Sequence, residues 1–155
     1  MGQAVSYENL PLDAWSRGRV RRHSYRNGTS ESTATVLIRL VTKDDPGQYQ
    51  KAQNFVEKHQ PVLVTQLSVL ELVWVLMSRY GLDKERTCQV VEALLETAEM
   101  TMQAPSILES ALMTWKKSKA DFADCFILAS ISAVSENPLA TFDTTLGKLE
   151  GRKQL

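Results

Sequence analysis

Apolar positions are scattered through residues 1–32 and become orderly from Val36 onward. VLIRLVT (36–42) predicts a short buried helix, or a strand turning into one. Asp44, Asp45 and Pro46 follow as a helix-start signature, two acids and then proline. The next stretch places Tyr49, Ala52, Phe55 and Val56 on one side of a helix. PVLVT (61–65) reads as a short β-branched strand. Helical period then runs from Leu67 to Tyr80 and stops at Gly81, a residue type favoured at helix ends. Another helix over 82–97 starts at an Asp cap and turns Val90, Val91, Leu94 and Leu95 inward. MTMQ (100–103) predicts a strand, and Pro105-Ser106 opens a helix through about Lys117. A polar turn leads into a helix from about Asp121, broken at Asn137-Pro138. LATF (139–142) then predicts a strand, TTLGKL a short helix, and the last residues a final strand. Short strands alternating with helices imply an α/β three-layer domain with a short parallel sheet. In such sheets ligands sit at the carboxyl ends of strands, and Asp143 falls just after LATF.

Three carboxylates interrupt the most apolar of these segments. Glu71 is the only charged side chain between His59 and Met77, and no charge lies between Asp124 and Glu136. Asp143 stands in PLATFDTTL. Burying a carboxylate costs several kcal/mol unless it is paired, protonated or bound to a cation. No equally placed Lys or Arg answers these three, which points to a shared Mg²⁺ or Mn²⁺, the ions of phosphodiester cleavage. Asp121 lies three residues before Asp124, so on a helix both reach one cleft. Each acid also has a plainer reading. Asp121 fits an N-cap, Asp124 a first-turn acid on the helix dipole, and Asp143 the cap of TTLGKL. Glu71 fits a buried acid answered by Arg79 or Arg39.

Length and composition change this picture only in part. The 155 residues suit one domain, and 43% hydrophobic content allows a core. Formal net charge is zero, so bulk charge favours no partner. The charge is uneven, however. Residues 1–32 carry five arginines (17, 19, 21, 22 and 26) against three acids, and RGRVRRHSYR is a basic run. That segment is expected to be an irregular leader, with 33–155 as the domain proper. Its basic run suits RNA phosphates or simple solvation. Cys88 and Cys125 fall in predicted helices and read as free core thiols of a reducing cytosol. No apolar run approaches the roughly 20 residues of a membrane span, and no signal-peptide core opens the chain, so a cytoplasmic location is expected. Glycine-rich phosphate loops, CxxC pairs and GxSxG are absent. His23 and His59 stand far from the acids in sequence, and Trp74 and Trp115 sit at helical spacing.

Together VLIRLVTKDDPGQYQKA, SVLELVWVLMSRYG, DFADCFILAS and TFDTTLGKL resemble the VapC toxins of the PIN-domain ribonucleases. The order and spacing match over about residues 33–155. The resemblance implies a compact α/β fold, Mg²⁺-dependent endoribonuclease activity on RNA, and neutralisation by a small VapB-type antitoxin. Homodimers are common in that family. It assigns Glu71 as the helix-borne acid, Asp124 as the next metal ligand with Asp121 as its frequent companion, and Asp143 as the last acid. Cleavage would then proceed by in-line attack, releasing a 3′-hydroxyl and a 5′-phosphate. Glu71 would bind metal directly, act through water or orient the nucleophile. Trp74 and Trp115 would be core or antitoxin-facing aromatics.

The chain departs from the pattern at one place. The family begins with a strand ending Asp-Thr-Asn directly before Val-Leu-Ile-Arg-Leu. Here Thr33, Ala34 and Thr35 occupy those positions, so the first acid and its strand are missing. Glu31 is two positions early and does not take over the role. A shifted reading frame is one hypothesis. Glu31 to Thr35 can be encoded by GAG TCG ACA GCA ACG, which read two bases later gives Val-Asp-Ser-Asn. The nucleotide sequence across codons 25–40 tests it. The competing expectations are a catalytically inactive PIN-like protein that only binds antitoxin or RNA, and a structural domain whose acids are caps and ion pairs.

Overall fold

The computed structural model describes residues 33–135, 138–141, 143–149 and 152–154. The expected leader, 1–32, lies outside them. The chain divides into two compact units between Gln103 and Ala104.

The first unit runs α1 (Thr33–Thr42), α2 (Pro46–His59), β1 (Val62–Val64), α3 (Gln66–Ser78), α4 (Lys84–Glu96) and β2 (Met100–Met102). Local chemistry sets the helix starts. Asp45 caps α2 by accepting from the Gln48 N–H at 2.9 Å, and Pro46 takes the first turn. Thr65 caps α3 through the Ser68 N–H, and Asp83 caps α4 through the Arg86 N–H. VLIRLVT resolves as helix: α1 packs on α2 and α3, with Ala34 and Leu37 fully buried. α3 ends before Gly81, which lies two residues beyond its cap Arg79 and takes a φ of 66°. There the chain turns back so that the Leu82 N–H reaches the Leu76 carbonyl. β1 and β2 pair in parallel, Val62 opposite Met100 and Val64 opposite Met102. Leu37, Val64, Leu72, Leu76 and Val91 form the fully buried centre of this unit.

The second unit comprises α5 (Pro105–Lys117), α6 (Phe122–Ser132), β3 (Leu139–Thr141), a 3-10 turn (Leu146–Lys148) and β4 (Arg152–Gln154). α5 and α6 form an antiparallel hairpin through an aromatic series. Trp115 and Phe122 rings lie 5.0 Å apart, and Phe122 and Phe126 rings 6.0 Å apart. Leu108, Ala111, Leu112 and Cys125 complete that core. β3 and β4 are parallel, as the sequence pattern implied for the strands. Cys88 and Cys125 are both buried free thiols. Among the described residues no helix is long and apolar enough to cross a membrane.

Candidate functional site

The second unit holds three of the four acids singled out from sequence. Asp121 ends the polar turn before α6 in extended backbone, and its Oδ1 accepts the Asp124 N–H at 2.8 Å. It is therefore an N-cap, as its plainer reading had it. Asp124 stands in the first turn of α6, half-buried, where the helix dipole favours an anion. Asp143 follows β3. Its N–H donates to Thr141 Oγ1 at 3.0 Å, and its Oδ1 accepts the Thr145 N–H at 2.7 Å. Its carbonyl accepts from the Gly147 N–H, so Asp143 organises the 3-10 turn beyond it.

Electrostatics tie these three together. Burial pushes the Asp124 carboxyl above the ordinary carboxylate range, and the charges of Asp121 and Asp143 push it further. Among the described residues no three His, Cys, Asp or Glu side chains are grouped closely enough for one metal ion. The donor set is nonetheless the oxygen-only, anionic kind that hard divalent ions take, and a cation would relieve the strain on Asp124.

Glu71 belongs to the first unit, near the middle of α3, and it is exposed. The expectation that it is a buried acid does not hold. Asp143 is exposed as well, and Asp124 only half-buried. The physical reason is that α3 and α6 are apolar nearly all round, so a polar residue in such a sequence need not lie inward. Leu67, Trp74 and Met77 share the exposed side of α3 with Glu71, and Ile127 is exposed on α6. Trp115 is core, whereas Trp74 is 61% exposed. His59 is exposed, with its ring stacked on Phe55 and Nδ1 2.8 Å from the Phe55 carbonyl. His23 lies outside the described residues.

Arg39 does not answer Glu71. Its Nη1 donates to both Asp44 carboxylate oxygens at 2.8 Å. Thr42 Oγ1 donates to Asp44 at 2.9 Å, and the Tyr80 hydroxyl donates to it at 2.7 Å. This network joins the end of α1 to the residue beyond α3, so it holds the helix that carries Glu71. Burial opposes ionisation of Asp44, but the donors Tyr80, Arg39 and Thr42 outweigh it and hold the carboxyl at about 2. Burial, then the hydrogen bond to Asp44, pushes the Tyr80 phenol upward. Sequence reasoning missed this cluster. Arg39 and Asp44 are near neighbours, but Tyr80 lies 36 residues from Asp44 and carries no local signal.

The sequence matches the family described as PIN domain over residues 34–151, most of the chain. The chain belongs to the PIN-domain family. PIN domains are a nuclease family, and the fold is α/β with short parallel strands, as the pattern of strands and helices implied. The matched span contains Glu71, Asp121, Asp124 and Asp143. No curated protein and no solved structure matches the chain.

Proposed function

We propose that this PIN-domain protein is a divalent-metal-dependent endoribonuclease of the VapC toxin type. The observation that supports the reading is the PIN-domain match over residues 34–151, which spans a half-buried carboxylate, Asp124, in the first turn of α6 directly after the capping acid Asp121. Asp124 and Asp143 are the proposed Mg²⁺ ligands. Bound Mg²⁺ would neutralise charge on the scissile phosphate and acidify a water. Asp121 positions Asp124 by capping α6, besides adding negative charge. Glu71 is carried over from the family resemblance as the helix-borne acid, and its exposure on α3 leaves it accessible to RNA or solvent. The antitoxin partner would be a VapB-type protein, and the compartment the cytoplasm. The resemblance supports the partner, and two buried free cysteines are compatible with a reducing compartment.

The test is RNA cleavage by purified full chain in Mg²⁺. Asp124→Asn should abolish the Mg²⁺-dependent fraction, and unchanged cleavage by a clean preparation refutes the assignment. A second reading has its own support. Thr33, Ala34 and Thr35 stand where the family places its first acid, and Thr33 opens α1. A chain short of one ligand would be a PIN-domain protein that binds antitoxin or RNA without cutting. Saturable RNA binding with no cleavage in Mg²⁺ or Mn²⁺ favours that reading.

A further inference from the structure

We infer that Lys117 and Lys119 hold phosphates of the RNA backbone next to the one that meets Asp124 and Asp143. The inference rests on the nuclease reading above and adds to it the side chains that grip the substrate. All of these residues belong to the second unit.

The sequence supplies the first argument. Lys116, Lys117 and Lys119 precede Asp121 and Asp124 in one short stretch, KKSKADFAD. The last turn of α5 favours cations through the helix dipole, which suits Lys116 and Lys117. That effect fades beyond the turn, and Lys119 lies past the cap residue Ser118. A run of cations beside a run of acids would ordinarily be read as mutual pairing. Among the described residues neither Lys117 nor Lys119 forms an ion pair.

Packing supplies the second. Trp115, Ala120 and Phe122 are buried, and the Trp115 and Phe122 rings meet, so the turn between α5 and α6 is anchored on the aromatic core. Lys117, Lys119 and Asp121 fall between these anchors and are exposed. Two residues of chain span at most about 7 Å, so the Lys119 backbone lies within that reach of Asp121. Asp121 is bonded in turn to the Asp124 N–H. The cations and the acids therefore share one anchored turn without neutralising each other.

Charge supplies the third. Asp121, Asp124 and Asp143 repel a polyanion, and a divalent ion relieves that repulsion at the phosphate it touches. Neighbouring phosphates of the same strand need cations from the protein. Lysine meets that need as a point charge on a flexible stem.

The probe is a fluorescein-labelled oligouridine of about twelve nucleotides, titrated into the full chain in EDTA and read by anisotropy at several salt concentrations. EDTA removes the metal from the measurement. Lys117→Gln/Lys119→Gln should weaken binding about tenfold at low salt and flatten the slope of log K against log salt by about 1.4, roughly 0.7 for each lost contact. An oligoadenosine should lose as much, because phosphate contacts do not read bases. Lys117→Arg/Lys119→Arg should restore binding. Lys51→Gln/Lys58→Gln makes the same charge change at exposed positions of α2 and should alter binding less than about twofold. In Mg²⁺, the effect of Lys117→Gln/Lys119→Gln on RNA cleavage should fall on KM rather than kcat. No saturable binding by the parent, an unchanged slope and affinity in Lys117→Gln/Lys119→Gln, or an equal loss in Lys51→Gln/Lys58→Gln overturns the proposal. Cleavage by the parent together with such a result leaves the nuclease reading standing. Lysine-dependent binding without cleavage supports the lysine assignment and counts against the nuclease reading instead.

Discussion

Replacing Asp44 by Asn should remove stability at neutral pH and remove little near pH 2. Asp44 is the acceptor on which Arg39, Thr42 and Tyr80 converge. Its carboxyl titrates at about 2 in the folded chain against 3.8 ordinarily. That difference corresponds to about 2.5 kcal/mol of preference for the ionised form. Asp44 is exposed, so solvent screening reduces the contribution to about 1 kcal/mol. The sign follows from linkage. A depressed carboxylate pKa stabilises the fold above the unfolded value, near 3.8, and the contribution disappears as pH falls through about 2. Urea unfolding followed by tryptophan fluorescence at pH 7, 5, 3 and 2 measures it. The two proteins should differ by about 1 kcal/mol at pH 7 and 5, by less at pH 3, and hardly at all at pH 2. Tyr80→Phe, made in both backgrounds, should cost stability with Asp44 present and little in Asp44→Asn. A difference of the same size at pH 2 and pH 7 would refute the reasoning, because it would place the effect in packing rather than charge.

Trp74 and Trp115 should part company: Trp115→Ala should cost about 3–5 kcal/mol and Trp74→Ala less than about 1, by the same denaturation assay, since Trp115 is buried and Trp74 exposed. Asp83→Ala removes the acceptor of the Arg86 N–H and should lower stability by about 1 kcal/mol, whereas Asp83→Asn should retain most of it. Asp124→Asn should stabilise the metal-free protein at pH 7. The raised folded pKa of Asp124 gives stability below its unfolded pKa that is lost as pH rises through the folded one, so a neutral amide avoids the loss. A melting temperature in EDTA below that of the parent contradicts this.

The elements were legible because their signals are local. Asp45-Pro46, Asp83, Pro105 and Asp121 mark helix starts wherever the backbone is otherwise willing, and all four do so here. VLVT and MTM read as strands from β-branched and apolar residues, and they pair in register. Burial of the acids was not legible. In α3 the apolar residues outnumber the inward positions, so sequence alone could not say that Glu71 shares the outward face with Leu67 and Trp74. From sequence Asp121 and Asp143 each admit two roles, and their capping bonds are real. Capping does not conflict with a charge role, since both still raise the Asp124 carboxyl. The Asp44 cluster escaped notice because its third donor, Tyr80, is brought in by tertiary structure.

The central claim is that Asp124 and Asp143 form a divalent-metal site. Calorimetric titration of Mg²⁺, and then Mn²⁺, into the metal-free full chain tests it most directly. The account predicts saturable binding that weakens at least about tenfold in Asp124→Asn and in Asp143→Asn, with both variants folded by circular dichroism. Saturable binding unchanged in both variants, or no binding by the parent chain, would contradict it.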